Sequence, residues 1–186
     1  NGSLYVAAEG NFSNGVLRWN GAGWTGIGPA LAGTMRSLVV LTDGTGTKLY
    51  CGTDGGLHVW NGSNWSSLGT PVNMSILRTA VLDTGGGPRL HVFGYCFQGG
   101  QTSESVLRWT GTAWGPVGIS QPSNAVATSF ANYDSGSGSS LYVGGNFGAL
   151  QGDLAQGVAR WDGQHWRRLA AARGVRGQGF SPEVQS

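Results

Sequence analysis

The eight tryptophans of this 186-residue chain fall into four pairs of one spacing, Trp19/Trp24, Trp60/Trp65, Trp109/Trp114 and Trp161/Trp166, and none is left over. Each pair closes one phrase. Residues 16–24 read Val-Leu-Arg-Trp-Asn-Gly-Ala-Gly-Trp, 57–65 Leu-His-Val-Trp-Asn-Gly-Ser-Asn-Trp, 106–114 Val-Leu-Arg-Trp-Thr-Gly-Thr-Ala-Trp, and 158–166 Val-Ala-Arg-Trp-Asp-Gly-Gln-His-Trp. This is an internal repeat. Its steps of about 41, 49 and 52 residues lie in or just above the range of propeller blades, far from leucine-rich or helical solenoid periods.

The two-tryptophan phrase predicts a hairpin. An apolar strand ends at the first tryptophan, a turn of Asn-Gly, Thr-Gly or Asp-Gly type supplies the positive φ that tight hairpins need, and a second strand starts at the other tryptophan. Upstream lies a second recurring phrase, Leu4-Tyr5-Val6, Leu49-Tyr50-Cys51, Leu90-His91-Val92 and Leu141-Tyr142-Val143. Three of these follow an apolar strand and a glycine-rich link, at 38–46, 79–87 and 127–138. Four strands per repeat, A to D, make one propeller blade, with strand A nearest the channel and the C–D hairpin at the outer rim.

The expected fold is therefore all-β, a β-propeller with four blades of four antiparallel strands, the first blade lacking its innermost strand. Repeats occupy 1–169, with blades at about 1–28, 35–69, 75–118 and 124–169. Residues 170–186 show no sustained alternation and read as a tail. An unpaired blade edge leaves two expectations: a segment of a longer propeller, or faces covered by another copy or another protein.

Composition agrees with an all-β chain, since 35 residues are glycine and only 11% are charged. Four of the eleven basic residues, Arg167, Arg168, Arg173 and Arg176, follow the last tryptophan, so the repeats carry no basic stripe and nucleic acid is not an expected partner. No window approaches the roughly 20 apolar residues that cross a bilayer, and no export signal opens the chain, so a soluble chain without membrane insertion is expected. The two cysteines, Cys51 and Cys96, are offset by four positions when the repeats are aligned. That is about 13 Å at strand rise, so packing in a sheet is favoured over a disulfide.

The phrase Leu141-Tyr142-Val143-Gly144-Gly145-Asn146-Phe147, followed by 158–166 and preceded by the link 134–138, resembles a kelch-like propeller repeat. Such repeats occur in large secreted bacterial proteins, notably of planctomycetes, and in the ectodomains of fungal cortical polarity markers. The resemblance spans Leu4 to about Leu169. It implies an extracellular or cell-surface scaffold with no shared active site. Gly-Gly-Asn-Phe is intact only in the fourth repeat; the first has Glu9-Gly10-Asn11-Phe12, the third Tyr95-Cys96-Phe97, and the second lacks the phenylalanine.

Antiparallel order puts the B–C and D–A loops at one end of every blade, and their lengths vary. About 7 residues separate Phe12 from Trp19, about 12 separate Phe97 from Trp109, and about 14 separate Phe147 from Trp161; variable loops on a repeated scaffold commonly carry recognition. The candidate binding residues are Phe97, Gln98, Gln101, Glu104, Phe147, Leu150, Gln151 and Asp153, with solvated spacer loops as the plain alternative. The expected partner is a protein, or a second copy meeting blade edges.

The paired tryptophans are expected to be structural, packing blade on blade. Sugar stacking on exposed indoles is the competing reading, which would make the chain a propeller lectin. Asp43, Asp83 and Asp134 in the glycine-rich links could hint at calcium, but one carboxylate per link is equally well used capping its own turn. No cofactor or metal is expected. His58, His91 and His165 have no predictable Ser, Cys or carboxylate partner, so no catalytic set is assigned. Five Asn-x-Ser sequons occur, at Asn1, Asn11, Asn61, Asn64 and Asn73; on a secreted eukaryotic chain Asn61 and Asn64 would sit on the outer rim.

Overall fold

The computed structural model describes residues 3–9, 15–69, 74–83, 86–98, 101–122, 126–134, 136, 139–146, 149–150, 153–154, 157–161 and 165–169. These residues form strands and turns, with no helix among them. Four antiparallel sheets follow one another along the chain. Sheet one holds β1 (Tyr5–Ala8), β2 (Gly15–Trp19) and β3 (Trp24–Gly26). Sheet two holds β4 (Met35–Asp43), β5 (Gly46–Thr53), β6 (Gly56–Trp60) and β7 (Trp65–Ser67). Sheet three holds β8 (Met74–Leu82), β9 (Arg89–Gln98), β10 (Gln101–Trp109) and β11 (Trp114–Pro122). Sheet four is built from β12 (Val126–Asp134), β13 (Ser139–Asn146), β16 (Val158–Trp161) and β17 (Trp166–Arg168), and a small hairpin, β14 (Ala149–Leu150) with β15 (Asp153–Leu154), is inserted between β13 and β16.

Each sheet is a meander in which every strand pairs with the next in its repeat, and the arrangement is propeller-like, with no ring closure among the described residues. In all four repeats one strand ends at the first tryptophan and the next begins at the second, as the hairpin reading expects. Sheet one has three strands among the described residues, one fewer than the others.

Side chains alternate across each strand, and this period of two assigns one face of a sheet to the preceding neighbour and the other to the following one. On β5, Leu49 and Cys51 pack with Val16 of sheet one, while Tyr50 between them joins Met74, Ile76, Leu90 and Val92 of sheet three. On β9 the split recurs. Leu90 and Val92 face sheet two, whereas Phe93 packs with Leu141, Val143, Trp161 and Trp166 of sheet four. The described residues thus form three inter-sheet cores rather than one, and each fully buried Leu or Val in them contributes about 1.5–3 kcal/mol.

Close approach of sheets two and three depends on Gly52. A Cβ there would lie 2.8 Å from Ile76 Cγ2 and 2.9 Å from Thr79 Cγ2. Beside it Thr79 donates its hydroxyl to Ser37 Oγ at 3.0 Å, which ties the innermost strands of the two sheets together.

Candidate interaction surfaces

The tryptophan hairpins are four copies of one device. Within each, the two tryptophans are direct cross-strand partners. Their rings lie 5.3, 5.4, 5.1 and 5.3 Å apart, tilted by 57°, 51°, 56° and 47°. Local chemistry sets this geometry. Asn20 Oδ1 accepts from the amides of Ala22 and Gly23, Asn61 Oδ1 accepts from those of Ser63 and Asn64, and Thr110 Oγ1 accepts from that of Ala113. Gly21, Gly62 and Gly111 take φ of 100°, 101° and 105°, a conformation that disfavours any L side chain.

The second tryptophan also reaches the preceding sheet. Trp65 donates its indole N–H to Ile27 O at 2.9 Å, Trp114 to Gly69 O at 2.6 Å, and Trp166 to Val117 O at 3.2 Å. Each acceptor lies three or four residues past the second tryptophan of its own repeat. Six of the eight tryptophans therefore belong to inter-sheet packing. Trp19 and Trp24, on the outer face of sheet one, are 37% and 45% exposed.

The candidate binding residues are distributed as follows. Phe97 and Gln98 end β9, and Gln101 and Glu104 lie in β10, with Phe97 paired to Thr102, Gln98 to Gln101 and Glu104 to Tyr95. The segment expected to be a long loop is mostly ladder. It makes the β9–β10 hairpin of sheet three far longer than the corresponding end of sheet two, where β5 and β6 turn tightly at Asp54 and Gly55. Leu150 and Asp153 pair with each other in β14–β15, while Phe147 and Gln151 lie outside the described residues. The hairpin of sheet three and the inserted one of sheet four both lie at the B–C end of their sheets.

At that same end of sheets one and two, residues not singled out from sequence are engaged. Glu9 Oε1 accepts from the amide of Met35, and Asp54 Oδ1 accepts from that of Thr34 at 2.8 Å, with Arg36 3.9 Å from Asp54. These carboxylates fasten the link from sheet one into β4. No local motif marks them, since the pairing spans twenty residues or more.

The titratable groups are also used structurally. His91 is buried in the position held by tyrosine in the other repeats; its Nδ1 lies 3.1 Å from Arg89 O, and burial, with a smaller push from Arg108, lowers its pKa to about 4. Burial also lowers His58. Among the described residues, His58 Nε2, His91 Nε2 and Trp161 Nε1 are buried with no hydrogen-bond partner. Cys51 is a free, buried thiol, pushed up to about 12 by burial and by the nearby Glu9 charge. The link aspartates cap turns: Asp43 accepts from the hydroxyl and amide of Thr45, which lowers its pKa, Asp83 accepts from the amide of Gly87, and Asp134 from that of Gly136. Among the described residues no group of three or more His, Cys, Asp or Glu is placed to hold a metal, and no helix is long and apolar enough to cross a membrane.

No protein-family model matches the chain, and no curated protein matches it significantly.

Proposed function

We propose that this chain is a four-bladed segment of a kelch-like β-propeller, secreted or displayed at the cell surface, that acts as a non-catalytic interaction scaffold. The observation that carries this reading is the uneven B–C end. On a repeated frame, sheet three extends its hairpin through Phe97, Gln98, Gln101 and Glu104, and sheet four adds β14–β15, while sheet two closes at once. Elaboration on one end of regular repeats is where recognition is placed on such scaffolds. Protein partners would meet these two hairpins.

The test is to shorten the β9–β10 hairpin to the length of β5–β6 and, separately, to replace 149–154 by a two-residue turn, then screen both against an extracellular-protein panel. Loss of a partner in either variant, with the thermal transition kept, supports the scaffold. Capture indifferent to both variants rejects it.

The exposure of Trp19 and Trp24 favours a second reading, a propeller lectin in which this one pair stacks on a sugar. Glycan-array signal lost in Trp19→Ala and Trp24→Ala, without unfolding, would select it; a flat array would remove it.

A further inference from the structure

One cross-strand pair recurs in every repeat and changes character once. Val6 pairs with Leu17 in sheet one, Val92 with Leu107 in sheet three and Val143 with Ala159 in sheet four. At the same place sheet two pairs Cys51 with His58. This is a core position. Val92 and Leu107 help fill the layer between sheets two and three, and Val143 and Ala159 the layer between sheets three and four. Cys51 is fully buried in the layer between sheets one and two, with Val16 and Leu49. A thiol and an imidazole where an aliphatic pair packs give up hydrophobic stabilisation, and a polar group buried there costs free energy unless something bonds it.

His58 Nε2 is buried with no hydrogen-bond partner among the described residues, and Cys51 is a free thiol. The polar neighbours on that face are otherwise engaged. Ser67, the partner of His58 on β7, accepts from the amide of Gly69 at 3.3 Å. Thr53, two residues beyond Cys51, donates its hydroxyl to Gly56 O at 3.1 Å and accepts from the amide of Gly55. The Glu9 carboxylate accepts from the amide of Met35, and its negative charge is felt at the Cys51 thiol. Burial lowers the pKa of His58, so at neutral pH its ring presents a lone pair.

Directly opposed residues of an antiparallel pair hold their Cβ atoms about 4.5–5.5 Å apart. An ion in line between one sulfur and one nitrogen, with bonds of about 2.3 and 2.0 Å, spans roughly 4.3 Å. We infer that Cys51 Sγ and His58 Nε2 are the two ligands of a soft monovalent cation such as copper(I), held between sheets one and two. On binding, the thiol S–H bond breaks and its proton passes to solvent; the thiolate pair and the imidazole lone pair form the two bonds to the ion. One positive charge enters as one leaves, so the buried layer stays neutral, whereas a divalent ion would leave a net charge in it. Thiolate also favours copper(I) over harder ions, and zinc takes at least three protein ligands where this pair supplies two. The site lies in sheet two and uses neither hairpin of the proposed scaffold.

The experiment titrates the 186-residue chain with copper(I) under argon, in competition with a chromophoric copper(I) chelator, beside Cys51→Val, His58→Leu and Cys96→Ser. The first two restore the side chains that Val92 and Leu107 place at this position, so their urea midpoints should equal or exceed that of the wild type. The wild type is expected to bind one ion, with an affinity that rises about tenfold per pH unit because one proton leaves. Cys51→Val and His58→Leu should each weaken binding by more than about a hundredfold, beyond the effect of a residue that only supports a ligand. Cys96→Ser should bind as the wild type does. X-ray absorption of the copper-loaded wild type should show one sulfur and one nitrogen donor, a reading that needs no variant to fold. A wild type that takes no copper(I) from the chelator, a spectrum without that donor pair, or binding retained in Cys51→Val or His58→Leu overturns the inference.

Discussion

Trp19/Trp24 and Trp161/Trp166 are the same hairpin in two surroundings. Both pairs stand 5.3 Å apart across one register position, yet Trp24 is 45% exposed and Trp166 only 2%. Ring geometry is set inside the hairpin, and burial is set by the neighbouring sheet. Two contributions that a single structure usually merges are therefore separated by position along one chain.

The largest expected effect comes from removing the ring where the neighbour is present. Trp166→Ala should cost about 3–5 kcal/mol, because a buried indole and its bond to Val117 O are lost from the core between sheets three and four. Trp24→Ala should cost about 1 kcal/mol or less. Urea unfolding of both variants checks this. Equal losses would mean that the pair stabilises its own hairpin rather than the stack.

His91 is buried on β9, two residues before Phe93 in the alternation of that strand, and its prediction concerns pH. The native imidazole resists protonation until about pH 4, while the unfolded chain takes its proton near the ordinary value of 6.5. Because the folded pKa is the lower one, stability is intact above pH 6.5 and declines as pH falls toward 4. The loss from this group approaches about 3 kcal/mol, with His58 acting in the same direction. His91→Gln should flatten that part of the pH profile, as read from unfolding free energies at pH 7.5, 5.5 and 4. Parallel profiles for variant and wild type would show that His91 is not held neutral by the stack.

A smaller pair of changes separates backbone strain from packing. Gly28 and Gly69 occupy the same repeat position with φ of 69° and 68°, but a Cβ on Gly28 would lie 2.7 Å from both Trp60 and Trp65, whereas Gly69 has open space around it. Gly69→Ala should cost about 1 kcal/mol, the strain of a left-handed backbone alone, and Gly28→Ala about 2–3 kcal/mol. The difference, measured by denaturant midpoints, is what the Trp60/Trp65 pair loses when the preceding sheet is pushed away from it.

Hairpin limits were legible because tryptophan position, turn residues and apolar alternation agreed in every repeat, and all four observed hairpins begin and end where the spacing says. The B–C end was less legible. The stretch from Gln101 to Ser105 is polar and reads as loop, yet it pairs with β9. The overlooked signal was Gly99-Gly100 between Gln98 and Gln101, a pairing that suits a two-residue hairpin turn. The open faces were harder still. Nothing local distinguishes Leu4 from Leu49 or Leu90; only the presence or absence of a neighbouring sheet does, and that is a property of the stack rather than of any repeat. Glu9 and Asp54 were missed for the same reason, since their partners at Met35 and Thr34 are remote in sequence.

The smallest effect is the sharpest control on the comparison. Asn20 and Asn61 each accept two amides within their own turn, and neither reaches another sheet through those bonds. Asn20→Ala and Asn61→Ala should each cost about 0.5–1 kcal/mol, and the two losses should agree although one hairpin is covered by a neighbour and the other is not. Thermal melts of the two variants at low protein concentration supply the test. Unequal losses would mean that docking of the next sheet reaches back into the turn, so that hairpin and stack are coupled. Equal losses place the turn wholly within the repeat and leave the tryptophan faces as the surface through which one sheet recognises the next.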